Sequence, residues 1–459
     1  FKKKMKQTSL ERLMYKKVNL WIVLLLIIFF IIFSIYFGYL VYKKQSQTLT
    51  SIARIPEFIK RSFEVSFDPG ADLKSHDQIH SKKEKFKRYR FKKRDEILIL
   101  SRYDPDINRS VVELIDLNTF KVLHKYLPDI KLINGSVDTK KIEFEKHNIR
   151  HSPQRAVINH PLILSDGSLI ASSDYALLYK IDFCSRLEWV NKENLFHHSK
   201  NLDSNNNIVA ISNLYPYSKG VSHYSEYFDK YIFRDDAITI LNQSGEKLYE
   251  KSITEILLEN NLIGYNELKT KNFDPIHTND IEPVKKDTKY WKKDDLFISI
   301  RNLNMILLYR PSNNKILKIF KGNFNMQHDV DIYSESEITI FNNNWKFSQD
   351  GEKDENNIEI LVYNFEDNKY RNLYETSVRE NNIKTSIQGL VDFFEDGSAI
   401  IEEEIAGRLL LINNKNEIEW EYINKNRNNS VYTLNWSRLL KDKEKIKKIK
   451  KIISKRKCF

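Results

Sequence analysis

The sequence has little cysteine, glycine or proline, and each shortage excludes a class of protein. Its two cysteines, Cys184 and Cys458, stand far apart, which excludes a disulfide framework and gives neither one a metal-ligand companion at useful spacing. The sequence does not predict a bridge between them. With 12 glycines and 10 prolines among 459 residues, the chain has no collagenous or linker-like region. No glycine-rich phosphate loop occurs either.

Aromatic residues make up 12% of the chain and charged residues 30%, which is typical of an ordered globular protein. The length suits either two domains or one large all-β domain with appendages, because all-β folds often run large.

The net charge of +12 comes from three short segments. Residues 1–18 carry +6, and residues 82–94 and 441–457 carry +8 each, so the rest of the chain carries about −10. Such local basic charge fits a membrane surface or solvated tails better than a nucleic-acid groove. We therefore expect no nucleic-acid partner.

Residues 20–42 form an apolar run without a charged residue. As a helix the run would be about 34 Å long, enough to cross a hydrocarbon core of about 30 Å. Trp21 at one end and Tyr36, Tyr39 and Tyr42 at the other match the aromatic belts of membrane interfaces. No small-residue cleavage site follows, so the run predicts an uncleaved single-pass anchor rather than a buried soluble helix.

The flanking charges predict the orientation of this anchor. Seven Lys and Arg residues precede the run, against five in residues 43–61, which favours a cytoplasmic N-terminus. Residues 1–19 are then a cytoplasmic basic tail, residues 20–42 the transmembrane anchor and residues 43–95 a juxtamembrane stalk. The predicted location is the inner (cytoplasmic) membrane, with the main domain periplasmic or otherwise extracytoplasmic.

An internal repeat predicts the architecture of the main domain. Asp166-Gly167 is followed by Trp189 after 23 residues, and Asp396-Gly397 by Trp420 after 24. Each copy is typical of a strand, a tight Asp-Gly turn and two further strands. Degenerate copies lie between them, giving about six units of roughly 40 to 60 residues.

These units predict an all-β fold, a six-bladed β-propeller over residues 96–425, preceded by the one transmembrane helix. A pair of β-sandwiches is the structural alternative. Residues 426–459 form a basic C-terminal tail. Its interleaved isoleucines predict a helix, either solvated or resting on anionic lipid.

Four short motifs place histidine, arginine or amide side chains at the edges of apolar runs. In a propeller such strand ends converge on the central channel. Arginine beside imidazoles suits a tetrahedral oxyanion such as sulfate or phosphate, because its planar fork donates two hydrogen bonds at once. The motifs are Phe196-His197-His198, His277-Thr278-Asn279, Ile298-Ser299-Ile300-Arg301 and Gln327-His328.

The four motifs, in this order, resemble those of the arylsulfotransferase (aryl-sulfate sulfotransferase) family, whose members are periplasmic six-bladed propellers. The resemblance covers residues 96–425. It implies transfer of a sulfuryl group from an aryl sulfate ester to a phenol without a nucleotide donor, through a sulfohistidine on His328. It also implies catalytic roles for His198, His277 and Arg301, and substrate-binding roles for Asn279, His197, Ser386 and Gln388.

The resemblance implies neither a cofactor nor a metal. The expected partners are a small-molecule aryl sulfate, a phenol and the membrane through a single helix, and a homodimer stays open. The chain departs from the family in keeping a membrane anchor where a cleaved signal is usual, and in lacking an N-terminal cysteine pair.

Three alternatives remain open on the sequence. The propeller could be a non-catalytic envelope protein that binds a ligand or a protein partner. Water could replace the phenol, which would make the protein a hydrolase of sulfate or phosphate esters. His328 could simply cap a turn through Asp329.

Overall fold

The structure is a computed structural model. The residues that it describes are 19–44, 70–75, 78–138, 141, 144, 152–222, 233–265, 268, 274–347 and 353–458. The chain divides into two compact units, Phe1–Pro69 and Gly70–Phe459. The predicted cytoplasmic tail, up to residue 18, and the part of the predicted stalk over residues 45–69 lie outside the described residues.

The first unit contains helix α1 (Leu20–Lys44). Its 25 residues span about 37 Å at 1.5 Å per residue. Over Trp21–Leu40 the helix is apolar, and none of this part is buried inside the protein. The predicted helix is therefore confirmed, and it is long and apolar enough to cross a membrane.

The second unit is built from short antiparallel strands with a few short helices between them. In chain order the strands are β1 (Phe86–Arg88), β2 (Ile97–Asp104), β3 (Arg109–Asp116), β4 (Val122–Tyr126), β5 (Ile158–Ile163), β6 (Leu169–Ser173), β7 (Tyr179–Ile181), β8 (Leu187–Val190), β9 (Leu195–Leu202), β10 (Ile208–Asn213), β11 (Asp236–Leu241), β12 (Lys247–Ser252), β13 (Thr278–Pro283), β14 (Leu296–Ile300), β15 (Met305–Arg310), β16 (Lys315–Lys321), β17 (Val330–Ile332), β18 (Glu337–Asn342), β19 (Trp345–Phe347), β20 (Lys353–Glu355), β21 (Glu359–Asn364), β22 (Lys369–Leu373), β23 (Leu390–Phe393), β24 (Ala399–Glu403), β25 (Arg408–Ile412), β26 (Ile418–Ile423) and β27 (Arg438–Leu440). The helices are α2 (Ile130–Asn134), α3 (Lys219–Ser222), α4 (Ile253–Glu259), α5 (Glu375–Glu380) and α6 (Lys443–Lys455).

The strands form a six-bladed β-propeller, which confirms the predicted all-β fold and excludes the pair of sandwiches. Strands β5–β8, β9–β12 and β13–β16 form three blades in simple succession. The fourth blade is β17, β18, β21 and β22, with β19 and β20 as a separate hairpin, and the fifth is β23–β26. The sixth joins β27 to β2, β3 and β4, so a strand from near the C-terminus completes the blade nearest the N-terminus.

Two strands of the propeller lie beyond the predicted limits of 96 and 425. Strand β27 closes the ring, and β1 pairs with β26 as a fifth, outermost strand of its blade. Residues 86–88, predicted to belong to the stalk, are thus part of a sheet. Local periodicity did not indicate either strand, because each is short and pairs with a segment more than 300 residues away.

The repeat in the sequence corresponds to the turn between the first two strands of a blade. Gly167 and Gly397 both adopt positive φ, +83° and +74°. The carboxylates of Asp166 and Asp396 each accept a hydrogen bond from the backbone N–H two residues further on. Since glycine adopts positive φ without steric cost, these positions fix two tight hairpins, as the spacing predicts.

The C-terminal segment packs on the propeller. Helix α6 buries Ile446 and Ile449 in the cluster that contains Phe183, and its lysines other than the half-buried Lys445 are exposed. A disulfide joins Cys184 to Cys458, with 5.2 Å between the Cα atoms. The expectation that these cysteines stay unpaired is therefore wrong. The apolar face of α6 brings the distant cysteine back to its partner, which spacing in the sequence does not reveal.

Buried aspartates join successive innermost strands around the axis. A carboxylate on one strand accepts a hydrogen bond from a backbone N–H of the next strand, in the pairs Asp280 to Val330 (2.9 Å), Asp329 to Val391 (3.0 Å) and Asp392 to Leu439 (2.7 Å). Asp329 thus connects two blades, and the idea that it makes a local turn with His328 has no support here.

Each blade has one non-glycine residue in the left-handed region at the axis. It lies in the innermost strand or in the few residues before it, and such a conformation costs about 1–3 kcal/mol. These residues are His160, His198, His277, Met326, Gln388 and Trp436, with φ between +45° and +60°. Residues with strained backbone of this kind are often found at functional sites, and here the six residues form a ring around the channel.

Candidate active site

Three imidazoles meet at one end of the channel. The ring of His198 lies 5.0 Å from that of His277 and 6.4 Å from that of His328, measured between centroids. The indole of Trp436 lies 5.7 Å from His198 and 6.2 Å from His328. The three histidines that the sequence singled out are therefore brought together around one small space.

His328 has defined hydrogen bonds on both ring nitrogens. Its Nε2 accepts the backbone N–H of Gln388 at 3.0 Å, so the ring proton resides on Nδ1. That Nδ1–H donates to Oδ1 of Asn343 at 2.6 Å and lies 3.0 Å from the carbonyl of Met326. Burial and the nearby Arg301 hold the pKa of His328 well below its ordinary value of 6.5. His328 is a neutral imidazole whose Nε2 lone pair points at a single amide.

His277 has a different environment, because it is paired with a carboxylate. Its Nδ1 lies 2.6 Å from Oδ2 of Asp274, which also accepts a hydrogen bond from Arg234 at 2.8 Å. Although burial acts in the opposite direction, these partners lower the pKa of Asp274 to about 2, so the carboxylate is ionised at neutral pH. The pair fixes a ring proton on Nδ1. Among the described residues, Nε2 of His277 has no hydrogen-bond partner.

His197 and His198 contact each other through their Nδ1 atoms, 2.7 Å apart. The Nε2 of His197 lies 3.2 Å from Oδ1 of Asp236, close but outside hydrogen-bond alignment. The ring of His197 also stacks on that of Tyr175 at 4.5 Å. Burial, followed by the neighbouring His197, lowers the pKa of His198 well below 6.5. His197 thus helps to fix the orientation of the His198 ring through the contact between their Nδ1 atoms.

Arg301 and Asn279 supply polar atoms whose hydrogen-bonding capacity is not used. The backbone N–H of Arg301 donates to the carbonyl of His277, and its guanidinium bonds to Asn302. Its Nε and the Oδ1 of Asn279 are buried without a hydrogen-bond partner among the described residues. The Nδ2 of Asn279 donates to the carbonyl of Gln327 at 2.8 Å. Buried unpaired groups of this kind are costly unless a ligand satisfies them.

The Ser386-to-Gln388 segment lies at the same end of the channel, but its two predicted residues differ. Gln388 reaches the cluster through its backbone N–H on His328, and its carbonyl accepts a hydrogen bond from Asn343. Ser386 is half-buried, and within the described part of the chain it makes no hydrogen bond to the imidazoles.

Several residues of the site were not singled out from the sequence. Asp274 stands three residues before His277, just ahead of the His277-Thr278-Asn279 motif, and this spacing was the available signal. The other residues are ordinary in their local sequence and reach the axis only through the fold. They are Asp174, Tyr175, Arg234, Asp236, Asn343 and Trp436.

A profile of the arylsulfotransferase (ASST) family matches residues 160–425, more than half of the chain and most of the propeller. The chain belongs to the arylsulfotransferase family. The matched region contains the three clustered imidazoles, Arg301 and Asn279. No curated protein matches the chain.

The solved structures that match this member of the family are only distantly similar to it. A protein of unknown function from Bacteroides caccae is 9% identical, covers 76% of this chain and 99% of its own, and has a TM-score of 0.46. A catalytically inactive virginiamycin B lyase from Staphylococcus aureus is 10% identical, with coverages of 74% and 88% and a TM-score of 0.37. A nidogen/laminin complex matches at 7% identity, with coverages of 75% and 97% and a TM-score of 0.42.

Proposed function

We propose that this protein is a membrane-anchored, nucleotide-independent sulfotransferase. It moves a sulfuryl group from an aryl sulfate ester to a phenolic acceptor, and His328 carries the group between the two half-reactions. Support comes from the family, from the clustered imidazoles and from the unpaired Nε–H of Arg301, a donor that suits a sulfuryl oxygen.

In the first half-reaction the Nε2 lone pair of His328 attacks sulfur while the bond between sulfur and the aryl oxygen breaks. The sulfur displaces the N–H of Gln388 from Nε2, and this amide then becomes a donor for a sulfuryl oxygen. Arg301 holds another oxygen through its Nε–H. Such preorganised donors typically contribute several kcal/mol where charge shifts in the transition state.

His277 handles the proton in both half-reactions. As an imidazolium paired with Asp274, it gives its Nε2 proton to the leaving phenolate. In the second half-reaction its neutral Nε2 takes the proton of the incoming phenol, whose oxygen attacks the sulfur and releases His328. General acid–base catalysis of this kind contributes about 10²- to 10⁴-fold in rate.

The observation that carries the proposal is the pair of hydrogen bonds on His328. Because Nδ1 donates to Asn343, Nε2 is the nucleophilic nitrogen, and sulfation at Nε2 leaves an N-sulfoimidazolium whose proton stays on Nδ1. A cationic ring is a good leaving group, so it can pass the sulfuryl group on. Neutral imidazole is the usual nucleophile for such a step near neutral pH, because no metal is needed to activate it.

The test uses the full chain purified in detergent. Incubation with para-nitrophenyl sulfate should add one sulfuryl group to the intact protein mass, and addition of phenol should remove it and form phenyl sulfate. His328→Ala should abolish both the adduct and the turnover. His124→Ala is the matched control, because His124 is half-buried on β4 and contacts Phe183 rather than the cluster. Turnover at a near wild-type rate in His328→Ala would show that His328 is not the nucleophile.

The alternatives make different predictions in the same assay. A hydrolase forms free sulfate at the same rate with and without phenol. A non-catalytic envelope propeller forms neither adduct nor product.

An extracytoplasmic location at the inner membrane is part of the proposal. Helix α1 supports it through its length and apolar surface, although a signal sequence has the same properties. The disulfide between Cys184 and Cys458 supports it independently, because such bonds persist mainly in oxidising compartments.

A further inference from the structure

Two segments of neighbouring blades bring Asp174, His197 and His198 together beside the imidazole cluster. Ala176 and Phe196 exchange both of their backbone hydrogen bonds, at 3.0 Å and 2.7 Å, which fixes the segment after β6 against the start of β9. One carboxylate oxygen and two ring nitrogens of the trio all lie within 4.8 Å of one another. The arrangement therefore depends on backbone pairing and not on flexible side chains alone.

Two successive residues of a strand normally point to opposite faces, but His197 and His198 do not. His198 has a φ of +50°, and the pairing of β9 with β10 shifts register at this point. The shift turns both Nδ1 atoms toward each other. The distortion of the strand at this point therefore brings two potential nitrogen ligands together.

The remaining partners of the trio fit metal coordination. Oδ1 of Asp174 is buried without a hydrogen-bond partner among the described residues, and it lies 3.9 Å from Nδ1 of His198. The far nitrogen of His197 lies 3.2 Å from the carboxylate of Asp236. A carboxylate behind a ligating histidine is the usual outer partner, because it fixes the ring proton on the far nitrogen and frees the near one for the metal.

We propose that Oδ1 of Asp174 and the Nδ1 atoms of His197 and His198 bind one divalent transition-metal ion of the zinc class, with at least one position left open. Two histidines with one carboxylate form a common zinc ligand set with an open fourth position. At bond lengths of about 2.0–2.2 Å, ligand atoms stand roughly 3.3 Å apart in a tetrahedron. The nitrogens must therefore separate by roughly 0.6 Å and the carboxylate must approach by a similar amount.

Metal binding would change the hydrogen-bonding group that His198 presents to His277 and His328. Without it, the carboxylate of Asp236, 3.2 Å from Nε2 of His197, favours a proton on that nitrogen by charge attraction, so the contact between the two rings places the proton of His198 on Nδ1. Coordination at Nδ1 moves the proton of His198 to Nε2, which makes Nε2 a hydrogen-bond donor beside His277 and His328. Metal binding itself does not depend on the proposed sulfuryl transfer.

The experiment measures metal binding directly. The full chain is purified in detergent without a polyhistidine tag, stripped with a chelator and titrated with Zn²⁺ by calorimetry, and its metal content is measured by mass spectrometry. Co²⁺ serves as a spectroscopic probe, because a low-coordinate site with nitrogen ligands gives a strong visible d–d band. We expect one ion per chain, and Asp174→Asn should weaken binding at least tenfold. His197→Gln should lose the Co²⁺ band.

Two further comparisons make the test specific. Asp236→Asn should weaken Zn²⁺ binding by about 10- to 100-fold through its effect on His197. Asp367→Asn and His124→Gln are the controls and should bind as the wild type does, because Asp367 is exposed in a turn and His124 contacts Phe183. Thermal unfolding of each variant checks the fold. A wild-type chain that binds no Zn²⁺, or an Asp174→Asn variant that is folded and binds equally well, would overturn the proposal, whatever the sulfuryl-adduct assay gives.

Discussion

Asp274→Asn removes one negative charge from behind His277 while keeping the shape of the side chain and its hydrogen-bond acceptor. The Nδ1–Oδ2 distance is 2.6 Å, and the two side chains are only 17% and 11% exposed. A charge-assisted hydrogen bond in such a setting contributes about 1.5–3 kcal/mol. At 1.36 kcal/mol per tenfold in rate, its loss should slow proton transfer by roughly 10- to 150-fold.

The slowing should depend on the donor, and this dependence is the signature of a proton-transfer role. Phenyl sulfate releases a basic phenolate that needs the proton of His277, so its kcat/KM should fall by the full amount. Para-nitrophenyl sulfate releases a much less basic phenolate, so its kcat/KM should stay near the wild-type value. The assay compares both donors with a common acceptor at concentrations where the first half-reaction limits the rate.

A surface variant and the comparison of the two donors serve as checks on this result. Asp294→Asn changes an exposed aspartate near another propeller turn and should leave both donors unaffected. A fall of equal size for both donors would mean that Asp274 only maintains the structure. An unchanged rate for phenyl sulfate would mean that His277 does not supply the proton. Either result would refute the reasoning.

Three further predictions concern stability and topology. Burial keeps the pKa of His80 at about 3 and those of His160 and His328 well below 6.5, so the unfolded chain takes up protons first. The stability that these histidines contribute should therefore be full above pH 6.5 and fall as the pH drops below it. Burial raises the pKa of Glu402 to about 7 and that of Glu282 to about 8, so the stability that these acids contribute is lost as the pH rises through those values. The thermal midpoint should therefore fall toward both acid and alkaline pH, and a flat profile would contradict this. Reduction of the disulfide, or the double substitution Cys184→Ser and Cys458→Ser, should lower the free energy of unfolding by about 2–4 kcal/mol and so lower the thermal midpoint. An unchanged midpoint would show that helix α6 stays packed on the propeller without the bridge. Protease added to intact spheroplasts should digest the propeller, and full protection would contradict the extracytoplasmic orientation.

The sequence predicts most of the fold because its repeat is a local signal. An Asp-Gly turn followed at fixed spacing by a tryptophan reports one hairpin and one outer strand, and both ends of that pattern lie within a single blade. The apolar run of α1 is local in the same way. Closure by β27 and the return of Cys458 to Cys184 depend on chain path, so no window of the sequence contains them.

The residues of the candidate site also differ in whether a local pattern in the sequence identifies them. His277, Asn279, Arg301 and His328 can be predicted because strand ends of a propeller converge on its axis. The residues that set the orientation and protonation of these side chains cannot be predicted from the sequence, because each comes from another blade or another turn of the channel. Asp274 is the exception, since it precedes His277 by three residues.

The environments of the imidazoles decide which one does which task. Burial and Arg301 oppose a positive charge on His328, and they outweigh the hydrogen bonds of Nδ1 to Asn343 and Met326, which favour one. His328 stays neutral and keeps a lone pair on Nε2, which is what a nucleophile needs. His277 faces an ionised carboxylate, which fixes a ring proton on Nδ1 and suits a group that must give and take a proton at Nε2. Two imidazoles in one small space, one held neutral by its surroundings and the other paired with a carboxylate, suit the two tasks of a two-step transfer.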